Sequence, residues 1–384
     1  MMLRVAEITD GVRLSASRYA PEHGGRGEIH AVFEPVDVSG GISGQAFRIH
    51  SALKKFLESD FAYSSMPVMV RAFLSDVTNQ ADEVASIFSG LLCDVSIIGQ
   101  PPLRSGVKIT LLAILVENVN VRRIGENSIA VERGAYCDIW STLPAHPGVG
   151  SKEAAYKMLE ELSTVLCSEG MDIPGNCLRT WFYVRDIDNR YRGMVEARNE
   201  FFAGCGMTAE THFIASTGIE GANRMPDAVV SLDAFATGGL QSEQVRYITA
   251  PSHLNPTSQY GVAFERATAV DYGDRRNVIV SGTASIDNKG GIVAPGDISA
   301  QCIRMAENVE ALLQAAGVCP SDVCHIVLYV RDTADSAEAV RLVSERFSGV
   351  PCVAVQAAVC RPGWLVEMEC MAAADANNPS YAAY

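Results

Sequence analysis

Near its C-terminus the chain reads Val359-Cys360-Arg361-Pro362-Gly363-Trp364-Leu365-Val366-Glu367-Met368-Glu369, setting two carboxylates and a guanidinium in apolar surroundings. As an extended strand, this run places Leu365, Glu367 and Glu369 on one face, because side chains alternate with a period of two. Glu367 then has two readings. On an edge strand its carboxylate stands in water. Inside a sheet, desolvation disfavours the ionised form and leaves a proton donor usable near neutral pH. Arg361, beside a Pro-Gly pair, is either a surface cation or a two-pronged hydrogen-bond donor for a substrate carboxylate. Cys360 by itself reads as a core thiol. Tyr191 and Arg198 stand seven apart, on one face of a helix, which by itself describes a solvated surface pair. The seven histidines have no ligand-like spacing, and the glycines of NKGGIVAPG form a turn rather than a GxGxxG loop. No Ser-His-Asp set is evident, so neither a metal nor another cofactor is expected.

These residues need a scaffold, and composition bounds it. The 384 residues are 48% hydrophobic and 20% charged, which describes a globular protein and excludes disorder. A formal net charge of −14 repels polyanions and argues against nucleic-acid or anionic-membrane partners. Apolar runs such as Ile109 to Val116, apolar but for Thr110, are far too short to span a bilayer. The eleven cysteines are scattered without a CxxC pair, and the N-terminus has no apolar export signal. Reduced thiols in a soluble, cytoplasmic protein are the expectation.

The length also divides by three, and the sequence repeats. ISGQAFRIHSALKKFL (Ile42 to Leu57) matches ISAQCIRMAENVEALL (Ile298 to Leu313), both amphipathic helices. WFYVRD, ending at Asp186, matches LYVRD, ending at Asp332. MPDAVVSLD (Met225 to Asp233) matches RPGWLVEME (Arg361 to Glu369). Three units of about 128 residues follow: residues 1–120, 121–240 with an insertion near 214–223, and 241–384. Each reads strand, strand, helix, strand, helix, strand, strand. An open sheet face is best buried against another copy, so an α+β ring of three units is expected. The sheets would close a barrel-like central core, with helices outside and clefts between units. Duplication supplies an internal control. The position of Glu367 is Ser231 in the second unit and Thr110 in the first, and the position of Arg361 is Met225 and Arg104. The third unit alone pairs Arg361 with Glu367, so one cleft should carry the chemistry.

NVIVSGTASIDNKGGIVAPGDISAQ, the NVEALLQAAG helix, VLYVRD and the R-P-G-x-L-V-E-x-E ending resemble the RidA/YjgF superfamily over Asn277 to Ala373. The resemblance implies RidA-like (chorismate mutase-like) units, here fused into an intramolecular pseudo-trimer, with sites at unit interfaces. It also implies that Arg361 binds a substrate carboxylate. A narrower resemblance is to the chorismatases, carried by RTWFYVRDI, RYRGMVEARNEFF, ASTGIEG, and SGTAS with C-R-x-x-x-L-V-E. From it Tyr191 and Arg198 line the pocket, Glu367 is the acid seven residues beyond Cys360, with Cys360 as a second catalytic residue, Gly218 shapes the pocket, and Arg179 is a further cation. The implied activity is hydrolysis of chorismate, a dianion, to pyruvate and a dihydroxycyclohexadienoate or hydroxybenzoate, by a monomeric chain without cofactor.

Two other functions stay open at this point. A RidA-like deaminase of enamines or imines would use Arg361 and a positioned water, and would not need Tyr191 or Arg198. A non-catalytic small-molecule-binding pseudo-trimer would leave Glu367 exposed with an ordinary pKa. The endoribonuclease activity sometimes attached to the superfamily is disfavoured by the acidic charge and the absence of a basic aromatic stripe.

Overall fold

The computed structural model describes residues 1–22 and 25–384, with the Tyr260 side chain outside the description. The first unit runs β1 (Met2–Thr9), β2 (Val12–Tyr19), β3 (Glu28–Pro35), α1 (Gly41–Leu57), β4 (Ser65–Leu74), α2 (Val77–Ile87), β5 (Val95–Gly99) and β6 (Ile109–Glu117). The second runs β7 (Asn120–Ile124), β8 (Ser128–Arg133), β9 (Tyr136–Leu143), α3 (Ser151–Ser168), the one-turn α4 (Ile173–Asn176), β10 (Cys177–Val184), α5 (Ile187–Gly204), β11 (Ala215–Glu220) and β12 (Val230–Gly238). The third runs β13 (Val245–Ile248), β14 (Ala267–Asp271), β15 (Arg275–Ala284), α6 (Ile298–Ala316), β16 (Val323–Val330), α7 (Ser336–Arg346), β17 (Cys352–Gln356) and β18 (Val366–Asp375).

Among the described residues these strands form three six-stranded sheets of one topology: β1-β2-β3-β6-β4-β5, β7-β8-β9-β12-β10-β11 and β13-β14-β15-β18-β16-β17. Each unit opens with three strands, not the two expected. The additional strands β1, β7 and β13 lie at sheet edges, and β7 (Asn-Val-Arg-Arg-Ile) is largely exposed, so it carries little apolar signal. The other edge of each sheet is the parallel pair β4–β5, β10–β11 or β16–β17, joined through α2, α5 or α7. Parallel neighbours need such a crossover.

Local chemistry explains the helices. In α6, Cys302, Met305, Val309, Leu312 and Ala316 recur at three- and four-residue spacing and are buried. Asp297 caps its start by accepting the Ala300 N–H at 3.0 Å, and Gly317, at φ 78°, ends it. Each sheet carries a helix pair against one face: α1 with α2, α3 with α5, and α6 with α7.

The three units meet through corresponding seams. The last residue of each parallel edge strand donates its N–H to the carbonyl two residues beyond the matching strand of the next unit. Glu220 donates to Ala358 at 3.1 Å, Gln356 to Pro101 at 2.8 Å and Gly99 to Ala222 at 2.8 Å. The result is an α+β pseudo-trimer within one chain. The barrel-like closure expected for its centre is corrected: the sheets remain separate and touch through isolated bridges such as Gly99 with Ala222 and Pro102 with Val355. The edge strands are only five or six residues long and reach their neighbours at their ends, so no continuous ladder crosses a seam.

The extra length of the second unit is also relocated. Residues 215–220 form β11, which pairs with β10 just as β17 pairs with β16. The added residues lie earlier, in an 18-residue α5 where the other units have 11-residue helices, and in the loop that follows it. Among the described residues, no helix is long and apolar enough to cross a membrane.

Candidate functional site

The seam between the second and third units opens into a cavity of about 290 Å³. The second unit walls it with α5 (Tyr191, Val195, Arg198) and β11 (Ser216, Thr217, Gly218). The third supplies Phe264 and Arg266 ahead of β14, Gly282 on β15, Cys360, Arg361 and Trp364 in the turn before β18, and Glu367 on β18.

β18 lies between β15 and β16, so the edge-strand reading of Glu367 does not hold. Its side chain is 5% exposed. Burial pushes its carboxyl from an ordinary 4.5 up to about 8, the negative charge of Glu369 adds to this, and Arg179 and Arg266 oppose it. Room for the carboxyl comes from a missing side chain: a Cβ on Gly282 would overlap Glu367 Oε1 and lie 3.0 Å from Thr217 Cγ2. Gly218 is confined too, since a Cβ there would lie 2.8 Å from Met194 Cε and 3.0 Å from Tyr191 Cε2.

The cations converge from both units. Arg198 is buried, donates from Nη1 to Ser216 Oγ at 3.2 Å, and stands 5.5 Å from the Phe264 ring centre. Its helix therefore turns Tyr191 and Arg198 into the cleft rather than toward solvent. Arg361 lies 4.7 Å over the Trp364 ring and donates to the Gly290 carbonyl at 3.3 Å. The indole of Trp364 is itself held by the Ser285 carbonyl at 3.0 Å. Burial and the nearby Glu367 push the Cys360 thiol up to about 12, which favours its uncharged form in the cleft wall. Burial likewise holds the Tyr191 phenol well above its usual range.

Six of the seven residues singled out from sequence thus share one cleft: Tyr191, Arg198, Gly218, Cys360, Arg361 and Glu367. Arg179 does not line it. Arg179 Nη2 donates to Glu369 Oε2 at 2.7 Å and to Thr217 Oγ1 at 2.5 Å, a layer behind the wall. Glu369 also accepts from the Thr217 hydroxyl at 2.6 Å and from Trp181 Nε1 at 2.8 Å. Thr217 in turn accepts the Gly282 N–H at 2.8 Å. This network fixes β11 against β15 behind Glu367. The sequence reading missed Arg266, which donates to the Asn255 carbonyl at 3.1 Å. Strand register makes Ser15 its counterpart in the first unit, so comparing the opening strands of the repeats would have exposed it as a difference.

A possible metal-ligating group lies elsewhere. Glu28, His30 and Cys324 bring their ligand atoms within 4.8 Å of one another, a cluster no sequence spacing announces. Both ring nitrogens of His30 are already engaged, Nε2 with Glu28 Oε1 at 2.7 Å and Nδ1 with His325 Nδ1 at 2.7 Å. The cluster closes on itself.

Comparison with known proteins agrees with the geometry. The family model described as Endoribonuclease L-PSP matches residues 263–374. A RutC family protein of Pyrococcus abyssi is 33% identical over 125 residues, 32% of this chain and 90% of that protein. The chain belongs to the RidA/YjgF superfamily. Within that superfamily, a chorismatase of Streptomyces rapamycinicus is 29% identical over 209 residues, 50% of this chain and 62% of that protein. A solved chorismatase structure superposes with a TM-score of 0.63 at 19% identity, covering 80% of this chain and 93% of the other. The chain is a chorismatase-like protein of RidA fold.

Proposed function

We propose that the chain hydrolyses chorismate, with Glu367 as general acid. The observation that carries this reading is a carboxyl neutral up to pH about 8 in one cleft with Arg198, Arg266 and Arg361. Such a cleft suits a dianion carrying an enol ether. Two carboxylates require cationic partners in a protein of net charge −14, and an enol-ether methylene requires a proton donor. The 29% identity to a chorismatase over half the chain supports the same substrate.

In this reading Arg361 and Arg198 hold the two carboxylates, and Arg266 adds positive potential beside the acid. Glu367 gives its proton to the terminal methylene carbon, forming a C–H bond and an oxocarbenium ion at the adjacent carbon. Water adds to that carbon and returns a proton to the Glu367 carboxylate. The hemiketal then breaks its bond to the ring oxygen, which takes up a proton, and pyruvate leaves with a dihydroxycyclohexadienoate. If the neighbouring ring hydroxyl traps the cation instead, the route leads toward a hydroxybenzoate. The wall of Tyr191, Gly218 and Cys360 sets which trap is within reach.

The test is to mix purified protein with chorismate and follow pyruvate by a coupled dehydrogenase. Release above the spontaneous rate is expected, reduced by on the order of 10²-fold or more in Glu367→Gln. No release above background rejects the reading. A deaminase working through Arg361 would instead liberate ammonia from an imine and keep its rate in Glu367→Gln.

A further inference from the structure

The seam between the third and first units repeats the geometry of the one that holds Glu367, and it also opens, into a cavity of about 490 Å³. Its walls correspond position by position to those of the first cleft. α7 stands where α5 stands, presenting Ser336, Ala337 and Val340. Cys352 and Ala354 of β17 occupy the register positions that Ser216 and Gly218 occupy in β11. Arg104 lies ahead of β6 as Arg361 lies ahead of β18, and it lines the cavity with Arg13 and Glu34.

Two differences decide what this cleft can do. The second residue of β18 is Glu367, whereas the second residue of β6 is Thr110, so the acid is missing. The counterpart of Arg266 is Ser15, so one cation is missing as well. The arginine anchor remains. Glu34 Oε1 accepts from Arg104 Nε at 2.8 Å and from Arg13 Nη1 at 3.2 Å. Two guanidiniums share one carboxylate, each through a single N–H, leaving one net positive charge in a chain of net charge −14. Apolar surface faces them from Val32, Leu103, Val340 and Ala354. Val340 is 38% exposed, so its side chain is open to an apolar ligand body.

We infer that this second cleft is a ligand site for a small monocarboxylate with an apolar body, which it binds and does not transform. One charge and one guanidinium fork match one carboxylate, and without a proton donor the cleft has no means of general acid catalysis. The assignment does not depend on the chemistry of the first cleft.

The experiment uses the full chain carrying Arg361→Met, which removes the anchor of the first cleft, titrated calorimetrically with 3-hydroxybenzoate and soaked with it in crystals. Single-site binding with ligand density beside Arg104 is expected. Adding Arg104→Met should weaken binding by about 10- to 100-fold, the usual loss for a charge-assisted pair. Arg104 is about a third exposed, so its replacement leaves the core intact, and an unchanged melting temperature verifies this. Absence of binding to the Arg361→Met chain, density away from Arg104, or equal affinity after Arg104→Met overturns the inference.

Discussion

Replacing Glu367 by glutamine keeps the shape of the neutral acid and removes its titration, which turns the buried carboxyl into a measurable quantity. In the folded chain the group holds its proton up to about pH 8, against 4.5 when unfolded. Between these values the folded state binds more protons than the unfolded one, so stability falls as pH rises. At about 1.36 kcal/mol per unit, the difference approaches roughly 4 to 5 kcal/mol once pH passes the folded value. The side chain is 5% exposed, so solvent screens little of it. Glu369 and Arg179 are the same in both chains and drop out of the comparison. Urea unfolding of parent and Glu367→Gln chains at intervals from pH 5 to 9 provides the assay. The stability of Glu367→Gln relative to the parent should climb steadily through the window and level off near pH 8. A relative stability independent of pH refutes the buried neutral acid, and the proposed general acid falls with it.

Turnover of chorismate should be flat below pH 8 and decline by about tenfold per unit above it, as the acid loses its proton; a decline centred near pH 4.5 contradicts this. Gly282→Ala drives a methyl into Glu367 Oε1 and should cut turnover at least about 10-fold by misplacing the acid, with the fold retained by circular dichroism. Parental turnover in that variant removes the steric argument. Arg179→Met strands the buried Glu369 carboxylate, and a loss of about 3–5 kcal/mol in urea unfolding is expected. A loss below about 1 kcal/mol argues that the pair is not what holds the wall. Arg198→Met should raise KM for chorismate by about 10- to 100-fold, and an unchanged KM excludes it as a carboxylate partner.

Much of this was written in local patterns. Glu367, Ser231 and Thr110, aligned from sequence, are each the second residue of their unit's last strand, because the apolar periods that align the repeats also set strand register. Tyr191 and Arg198 share a face because a helix fixes that relation; whether the face meets water or a cleft depends on the next unit, which no local signal encodes. Arg179 failed as a pocket residue for the same reason. Its partner Glu369 lies 190 positions away across a seam, and the sequence spacing around either residue says nothing of the other. The insertion was misplaced because α5 continues the helical pattern beyond the length of its counterparts, so the surplus has no loop signature. The opening strands were undercounted because a polar edge strand alternates too weakly to be seen.

Fusion explains why the site can be lopsided. If three identical units formed the ring, each would have to carry both the Tyr191–Arg198 helix face and the Arg361–Glu367 strand. Here α5 has 18 residues where its counterparts α2 and α7 have 11, and among the last strands of the units β18 alone carries the acid, so one seam joins both halves. Such division works only if the units meet in a fixed order, and each seam has a buried polar pair of its own. Arg71 of the first unit meets Asp233 of the second at 3.0 Å, and Arg179 of the second meets Glu369 of the third at 2.7 Å. His30 of the first meets His325 of the third at 2.7 Å. An exchanged arrangement would bury Arg71 or Glu369 without its partner, at a cost of several kcal/mol. These pairs therefore act as register marks, and one of them reaches the acid it helps to place: Glu369 raises the pKa of Glu367 while its partner Arg179 opposes the rise.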